Sequence, residues 1–227
     1  MRFLPMYNIH KFFARKPHNV VGAYIEHYSR EGQIVLDPFC GSGVTISESL
    51  KAGRKAIGID LDPMATFITR MTSKPLNTQK FLDAYRQIEK TLMDKIEALY
   101  LTQCRSCKQT IPAIVFIWDN GKLVEVGYEC ANCSTGRVRK PISQFDINHL
   151  AKIEKLKVPS HPTNKLYYET GLPFKEKQKY ESVEDLFTKR NLIALAWLLE
   201  EIKKIDDSDI QDFMKFAFTS ISQRGSH

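Results

Sequence analysis

Residues 36–45 read LDPFCGSGVT, a small-residue loop that leaves one apolar run through an acidic residue and enters another. Its flanks decide how it folds. QIVLD (33–37) is short and apolar, as a buried strand is, and KAIGID (55–60) repeats that character after a helical stretch reaching about Ala52 and a glycine-containing turn. Strand, glycine loop, helix, strand is the repeating unit of a parallel sheet, so an α/β fold is expected.

Glycines in such a loop let the backbone approach a ligand closely. A phosphate-binding loop would close on Gly-Lys-Ser/Thr, a tripeptide found nowhere in the chain. A dinucleotide fingerprint would place its third glycine at position 46, which is Ile46. What remains is a strand ending in Asp37 and Pro38, a loop through Gly41 and Gly43, and a second strand ending in Asp60. A carboxylate there is placed to accept hydrogen bonds from ribose hydroxyls. The pattern suits an adenosine without phosphates, and Asp37 would tolerate a positively charged amino-acid group nearby.

Outward from the loop, Val20, Val21, Tyr24, Ile25 and Tyr28 recur at helical spacing over 18–30, and Pro63 opens a helix through DPMATFITRMTS. The spacing of Phe81, Leu82, Tyr85, Ile88, Leu92, Ile96 and Leu99 predicts one long helix over 79–101. The period then becomes strand-like: IPAIVFIW (111–118) and KLVEVGYE (122–129) are joined by Asp119, Asn120 and Gly121, a hairpin turn signal. A helix over 146–157, an extended connection over 158–180 and helices over 183–204 and 209–222 follow. In the late helix, Arg190 and Asn191 are expected as surface or capping groups. The domain organisation expected is 1–101, a first core part; 102–144, an insertion; and 145–227, a helical segment leading back to the core.

Within the insertion, Cys104, Cys107, Cys130 and Cys133 form two C-x-x-C pairs separated by 22 residues. Each pair presents two thiolates from one turn, and four soft ligands suit tetrahedral Zn2+. The hairpin fills the gap, so the segment reads as a zinc ribbon whose closed four-thiolate site is structural. Cys40 is expected to pack as a small apolar residue.

Formal charge is +7, and the basic excess gathers in 1–77 and 102–157, at +4 each. Such clustering raises nucleic acid as a partner, with Arg137, Arg139 and Lys140 as the candidate phosphate contacts and a solvated basic rim as the alternative. No run approaches the ~18 apolar residues of a membrane span, and MRFLPMYNIHKFFARKP carries charge where a signal peptide needs an apolar core. A cytoplasmic protein with no membrane partner is expected.

LDPFCGSG (36–43) followed by GIDLDP (58–63) resembles the first two motifs of S-adenosylmethionine-dependent DNA amino-methyltransferases, which modify adenine N6 or cytosine N4. HKFFARKPHNVVGAYIEHYS (10–29) is similar to the segment that precedes the glycine loop in those enzymes. The resemblance implies a Rossmann-like methyltransferase parallel sheet carrying the zinc-ribbon hairpin insertion and C-terminal helices. It implies that Lys16 and Pro17 help close over the methionine end of the cofactor. Asp37, Pro38, Phe39, Cys40, Gly41, Ser42, Gly43 and Thr45 would form the loop around the methionine moiety, and Asp60 with Leu61 would hold ribose and adenine. The family receives the methyl group with Asp, Asn or Ser, two prolines and an aromatic residue, and this sequence has no Pro-Pro dipeptide. The resemblance therefore implies no catalytic residue in this chain, an incomplete sheet, an inactive isolated chain, and a second chain or C-terminal half that supplies the motif. Two alternatives stand beside it: an RNA guanine-N2 methyltransferase, which shares an Asp-Pro-x-Cys-Gly-Ser-Gly loop, and a non-catalytic zinc-ribbon nucleic-acid-binding protein.

Overall fold

The computed structural model describes residues 7, 9–13, 15–133, 136–174 and 180–225, without the side chains of 223 and 224. In chain order the main elements are α1 (His18–Tyr28), β1 (Ile34–Asp37), α2 (Val44–Lys51), β2 (Lys55–Gly58), α3 (Pro63–Ser73) and α4 (Thr78–Glu97). Then come β3 (Leu101–Gln103), β4 (Thr110–Asp119), β5 (Lys122–Tyr128), β6 (Val138–Pro141), α5 (Gln144–Glu154), α6 (Lys189–Ile202) and α7 (Ser208–Gly225). The result is a mixed α/β chain in two compact units, one of 1–85 with 205–224 and the other of 86–204 with 225–227.

In the first unit, β1 and β2 pair in parallel, with Val35 beside Ala56 and Leu36 beside Ile57. The strands alternate faces, and α2 covers one of them. There Gly58 lies so close to Ile46 that an added Cβ would sit 2.9 Å from it. On the opposite face Ile34, Leu36, Ile57 and Ile59 are exposed. The unit's apolar core is Ile68 and Met71 of α3 with Phe213 and Phe216 of α7, backed by Phe12, Phe67, Leu76 and Phe81. Asp62 caps α3 by accepting from Met64 N at 2.8 Å, with Pro63 in the first turn, where its missing N–H costs nothing. Ion pairs Arg70–Asp212, Lys74–Asp209 and Lys80–Asp207 also join this set, but solvent-exposed pairs contribute only ~0–1 kcal/mol each.

In the second unit, β3-β4-β5-β6 form an antiparallel sheet in sequence order. The β4–β5 turn places Asn120 and Gly121 at φ 47° and 76°, the left-handed pair that matches the twist of a hairpin. A small core of Cys104, Tyr128 and Cys130 packs with Ile111 and Val138. A second core joins Leu99, Ile153, Ile193 and Ala194 with Ile96, Tyr100, Val158 and Trp197.

Three expectations change. The long helix stops at Glu97, continues as a 3-10 turn over Ala98–Tyr100, and gives way to β3, because Leu101–Gln103 pair with Thr110–Pro112. Leu99 stays buried, so the apolar period runs through the change. The 158–180 connection forms a hairpin-like excursion, with isolated bridges Lys165–Ser182 and Tyr167–Pro173 around a turn at Gly171; positions 175–179 lie outside the described residues. Arg190 is 4% exposed rather than at the surface, its guanidinium 3.7 Å from the Phe116 ring centroid. An arginine's planar cation stacks on aromatic faces, which sequence spacing does not announce.

Candidate cofactor loop and metal centre

Beyond β1 and β2 the backbone ladder continues: Ile59 N donates to the Asp37 carbonyl and Cys40 N to the Ile59 carbonyl, both at 2.9 Å. The segments carrying Phe39 and Asp60 therefore leave the sheet side by side, at the carboxyl ends of parallel strands, where ligands of open α/β sheets bind. Gly41 (φ 51°) and Gly43 (φ 78°) turn the chain in the left-handed region, and Gly43 becomes the N-cap of α2. A Cβ on Gly43 would lie 2.6 Å from Thr69 Oγ1, so both conformation and space demand glycine there.

Asp60 clasps this loop. Its Oδ2 accepts from Gly41 N at 2.8 Å and its Oδ1 from Asp62 N at 3.0 Å. The backbone N–H groups of Asp62 and Gly41 hold its carboxyl below the usual carboxylate range, so it is charged near neutral pH. A carboxylate offers about four lone-pair sites, so acceptor capacity remains for a ligand hydroxyl. Asp37 Oδ1 accepts from Phe39 N at 3.1 Å, a local turn bond that orients the exposed Phe39. Phe39 and Leu61 are 87% and 99% exposed, apolar side chains left uncovered at the two strand ends. Pro38 is also exposed, Ser42 is buried and Thr45 is half-buried. Cys40 is buried as expected, and burial pushes its thiol up, away from reactivity.

Upstream, Pro17 is the N-cap of α1 and Lys16 beside it is exposed. The side chain that reaches the loop from this segment is Arg15, whose Nε donates to Ser42 Oγ at 3.0 Å while Nη2 donates to the His10 carbonyl at 2.9 Å. Thr69 of α3 supports the other side, donating to the Gly41 carbonyl at 3.0 Å. Sequence reasoning missed Arg15 and Thr69. Arg15 lies within the 10–29 segment beside Lys16, but nothing local marks Thr69, 26 positions beyond Gly43.

In the second unit the sulfurs of Cys104, Cys107, Cys130 and Cys133 all lie within 4.8 Å of one another. Cys107 Sγ and Cys130 Sγ are 3.7 Å apart, too far for a disulfide and close to the ~3.8 Å edge of a tetrahedron with 2.3 Å Zn–S bonds. Backbone N–H groups of Cys107 and Ser106 pull the Cys104 thiol down to about 6, while hydrogen bonding from Cys107, burial and the other thiols push Cys133 up to about 12. Four crowded thiols resist ionising together, and a divalent cation removes that conflict. The donor set thus fits zinc.

The expected phosphate contacts separate. Arg137 and Arg139 are exposed, with Arg137 Nε 3.6 Å from Glu129 Oε1. Lys140 is corrected: it is 4% exposed, and its ammonium lies 2.5 Å from Asp146 Oδ2. Strand alternation turns it inward between two outward neighbours, and a buried ion-paired lysine cannot meet a phosphate. No helix among the described residues is long and apolar enough to cross a membrane.

Residues 5–69 match a family model described as DNA methylase, for N6 and N4 methyltransferases. The Type II methyltransferase M.MjaII of Methanocaldococcus jannaschii is 24% identical over 120 residues, covering 53% of this chain and 20% of that protein. The chain thus spans about a fifth of that relative's length. No solved structure gives a significant match. The two findings support the adenine N6/cytosine N4 DNA methylase family.

Proposed function

We propose that this chain carries the cofactor-binding part of an S-adenosylmethionine-dependent DNA methyltransferase acting on the exocyclic amine of adenine or cytosine. The observation that carries it is the Asp60 clasp on the left-handed Gly41–Gly43 loop at the ends of two parallel strands, inside the segment matching the DNA methylase family. The loop fits the cofactor because side chains are excluded at Gly43, the unused lone pairs of Asp60 suit ribose hydroxyls, and Phe39 and Leu61 offer apolar surface to an adenine. Asp37, Pro38, Cys40, Ser42 and Thr45 belong to the same loop, and Lys16 and Pro17 lie on the segment whose Arg15 ties to Ser42. S-adenosylmethionine, when bound, supplies an activated methyl group.

A Rossmann-like sheet of which this chain supplies β1 and β2 accounts for the naked face of Ile34, Leu36, Ile57 and Ile59, since parallel sheets are covered on both sides. A second polypeptide segment would cover that face and bring the residues that accept hydrogen bonds from the target amine. Structural zinc at the four cysteines completes the ribbon.

The test is calorimetry with S-adenosylmethionine on this chain and on Asp60→Ala. Binding weakened at least about 10-fold by the substitution supports the reading; equal affinity of both proteins, or no binding even with the covering polypeptide present, overturns it.

A further inference from the structure

A pocket of about 290 Å3 is lined by Gln103, Arg105, Lys108, Lys140, Pro141 and Ser143, and its wall includes Cys104 of the candidate metal centre. Both edge strands of the antiparallel sheet contribute to it, β3 through Gln103 and β6 through Lys140 and Pro141. Its charge is unbalanced. The carboxylate behind it, Asp146, is saturated: Oδ1 accepts from Thr102 Oγ1, and Oδ2 from Lys140 Nζ, Ser143 N and Ser143 Oγ, all within 2.8 Å. Lys140 and Asp146 cancel, leaving Arg105 and Lys108 as the cations at the mouth. Both are exposed, and neither is ion-paired among the described residues.

These two cations are also held on a rigid turn. Cys104 N donates to the Gln109 carbonyl and Lys108 N to the Cys104 carbonyl, at 2.8 and 3.1 Å, while Arg105 N donates to the hydroxyl of the buried Tyr128 at 3.0 Å. Two cations fixed on one closed turn spend less entropy on binding than the same groups on free loops. An ammonium, a guanidinium and a neutral amide converging on one recess suit a singly charged, oxygen-rich group.

We propose that this pocket is a phosphodiester site through which the ribbon grips the backbone of the DNA substrate. It rests on the DNA methyltransferase reading above and assigns the contact to Arg105 and Lys108, with Gln103 as an additional donor. Contacts of this kind set register and carry salt dependence rather than base identity. The same two cations would also offset the negative charge of a zinc tetrathiolate centre, so the experiment must separate the two roles.

The measurement is fluorescence anisotropy of a labelled DNA duplex with the full chain and with Arg105→Gln/Lys108→Gln, from 50 to 200 mM salt, with zinc content assayed on each protein. Lys108→Gln alone, keeping Arg105, guards against a double variant that fails to fold. The expected result is an affinity loss of about 10-fold or more for the double variant. The slope of log K against log salt should become shallower by about 0.9 per cation removed, with zinc retained. Unchanged affinity and slope, or a loss of affinity that only tracks loss of zinc, overturns the phosphodiester site while leaving the methyltransferase reading intact. If the unsubstituted chain shows no salt-dependent DNA binding, the pocket assignment falls together with the DNA reading.

Discussion

The parallel pair β1–β2 and the antiparallel sheet β3–β6 each present a candidate ligand-binding turn, and they reach order by opposite routes. The glycine loop is saturated by its own unit: Asp60 accepts from Gly41 N, Thr69 donates to the Gly41 carbonyl and Arg15 donates to Ser42. The cysteine cluster has its sulfurs gathered but its charges in conflict, with Cys133 pushed up to about 12. Preorganisation by hydrogen bonds can be complete in the chain itself, whereas a crowded anionic donor set is completed only by a cation.

The largest effect that would break this contrast is removal of a cysteine. Cys107→Ser is expected to abolish stoichiometric zinc and to lower the thermal midpoint of the second unit by more than about 10 °C, since structural zinc contributes on the order of 10 kcal/mol in small zinc domains. Calorimetric scans should show the first unit's transition unmoved; a parallel fall of both transitions would mean the two regions are not independently ordered.

Next comes the buried pair that braces the ribbon. Lys140→Met leaves Asp146 charged and unpaired and should cost about 3–5 kcal/mol in urea unfolding at pH 7. Burial pushes the Asp146 carboxyl up, but Lys140, Thr102 and Ser143 together outweigh it and the net direction is down. A carboxyl lowered in the folded state stabilises above its unfolded value near 3.9, and that stability fades as pH falls through the folded value. The gap between the two proteins should therefore hold from pH 7 to about 5 and narrow below about pH 4.

Smaller effects sharpen the description of the glycine loop. Gly43→Ala forces φ +78° and a 2.6 Å approach to Thr69, expected to cost about 1–3 kcal/mol and to weaken S-adenosylmethionine binding in the same protein. Thr69→Val, which deletes the bond to the Gly41 carbonyl and the weaker 3.8 Å contact with Cys40 Sγ, should cost about 1 kcal/mol by thermal unfolding. If Thr69→Val matched Gly43→Ala, the carbonyl bond rather than steric fit would govern the loop.

Much of the fold was legible because local chemistry dictates it. The turn at Asn120-Gly121 sits where its residues require, and the four cysteines converge as their spacing implied. The place of Asp60 after the second strand was legible, but its bond to Gly41 was not, since that depends on two strand ends emerging side by side. The long helix was over-extended by four residues because Leu99 satisfies an apolar period whether its backbone is helical or not. Lys140 read as one of three basic residues within four positions, R-x-R-K, and strand alternation alone could not say which side faced Asp146.

The sequence by itself therefore determined the glycine loop, the thiol quartet and most helix and strand segments, because each depends on residues within one turn or one period. Only the tertiary structure decided that Arg15 and Thr69 support the loop, that Lys140 and Arg190 are buried, and that Ile34, Leu36, Ile57 and Ile59 face outward. Those outcomes depend on which charges, rings and faces meet across tens or scores of residues. The free energy of a charge or an apolar side chain is set by what surrounds it, and a linear pattern does not contain its surroundings.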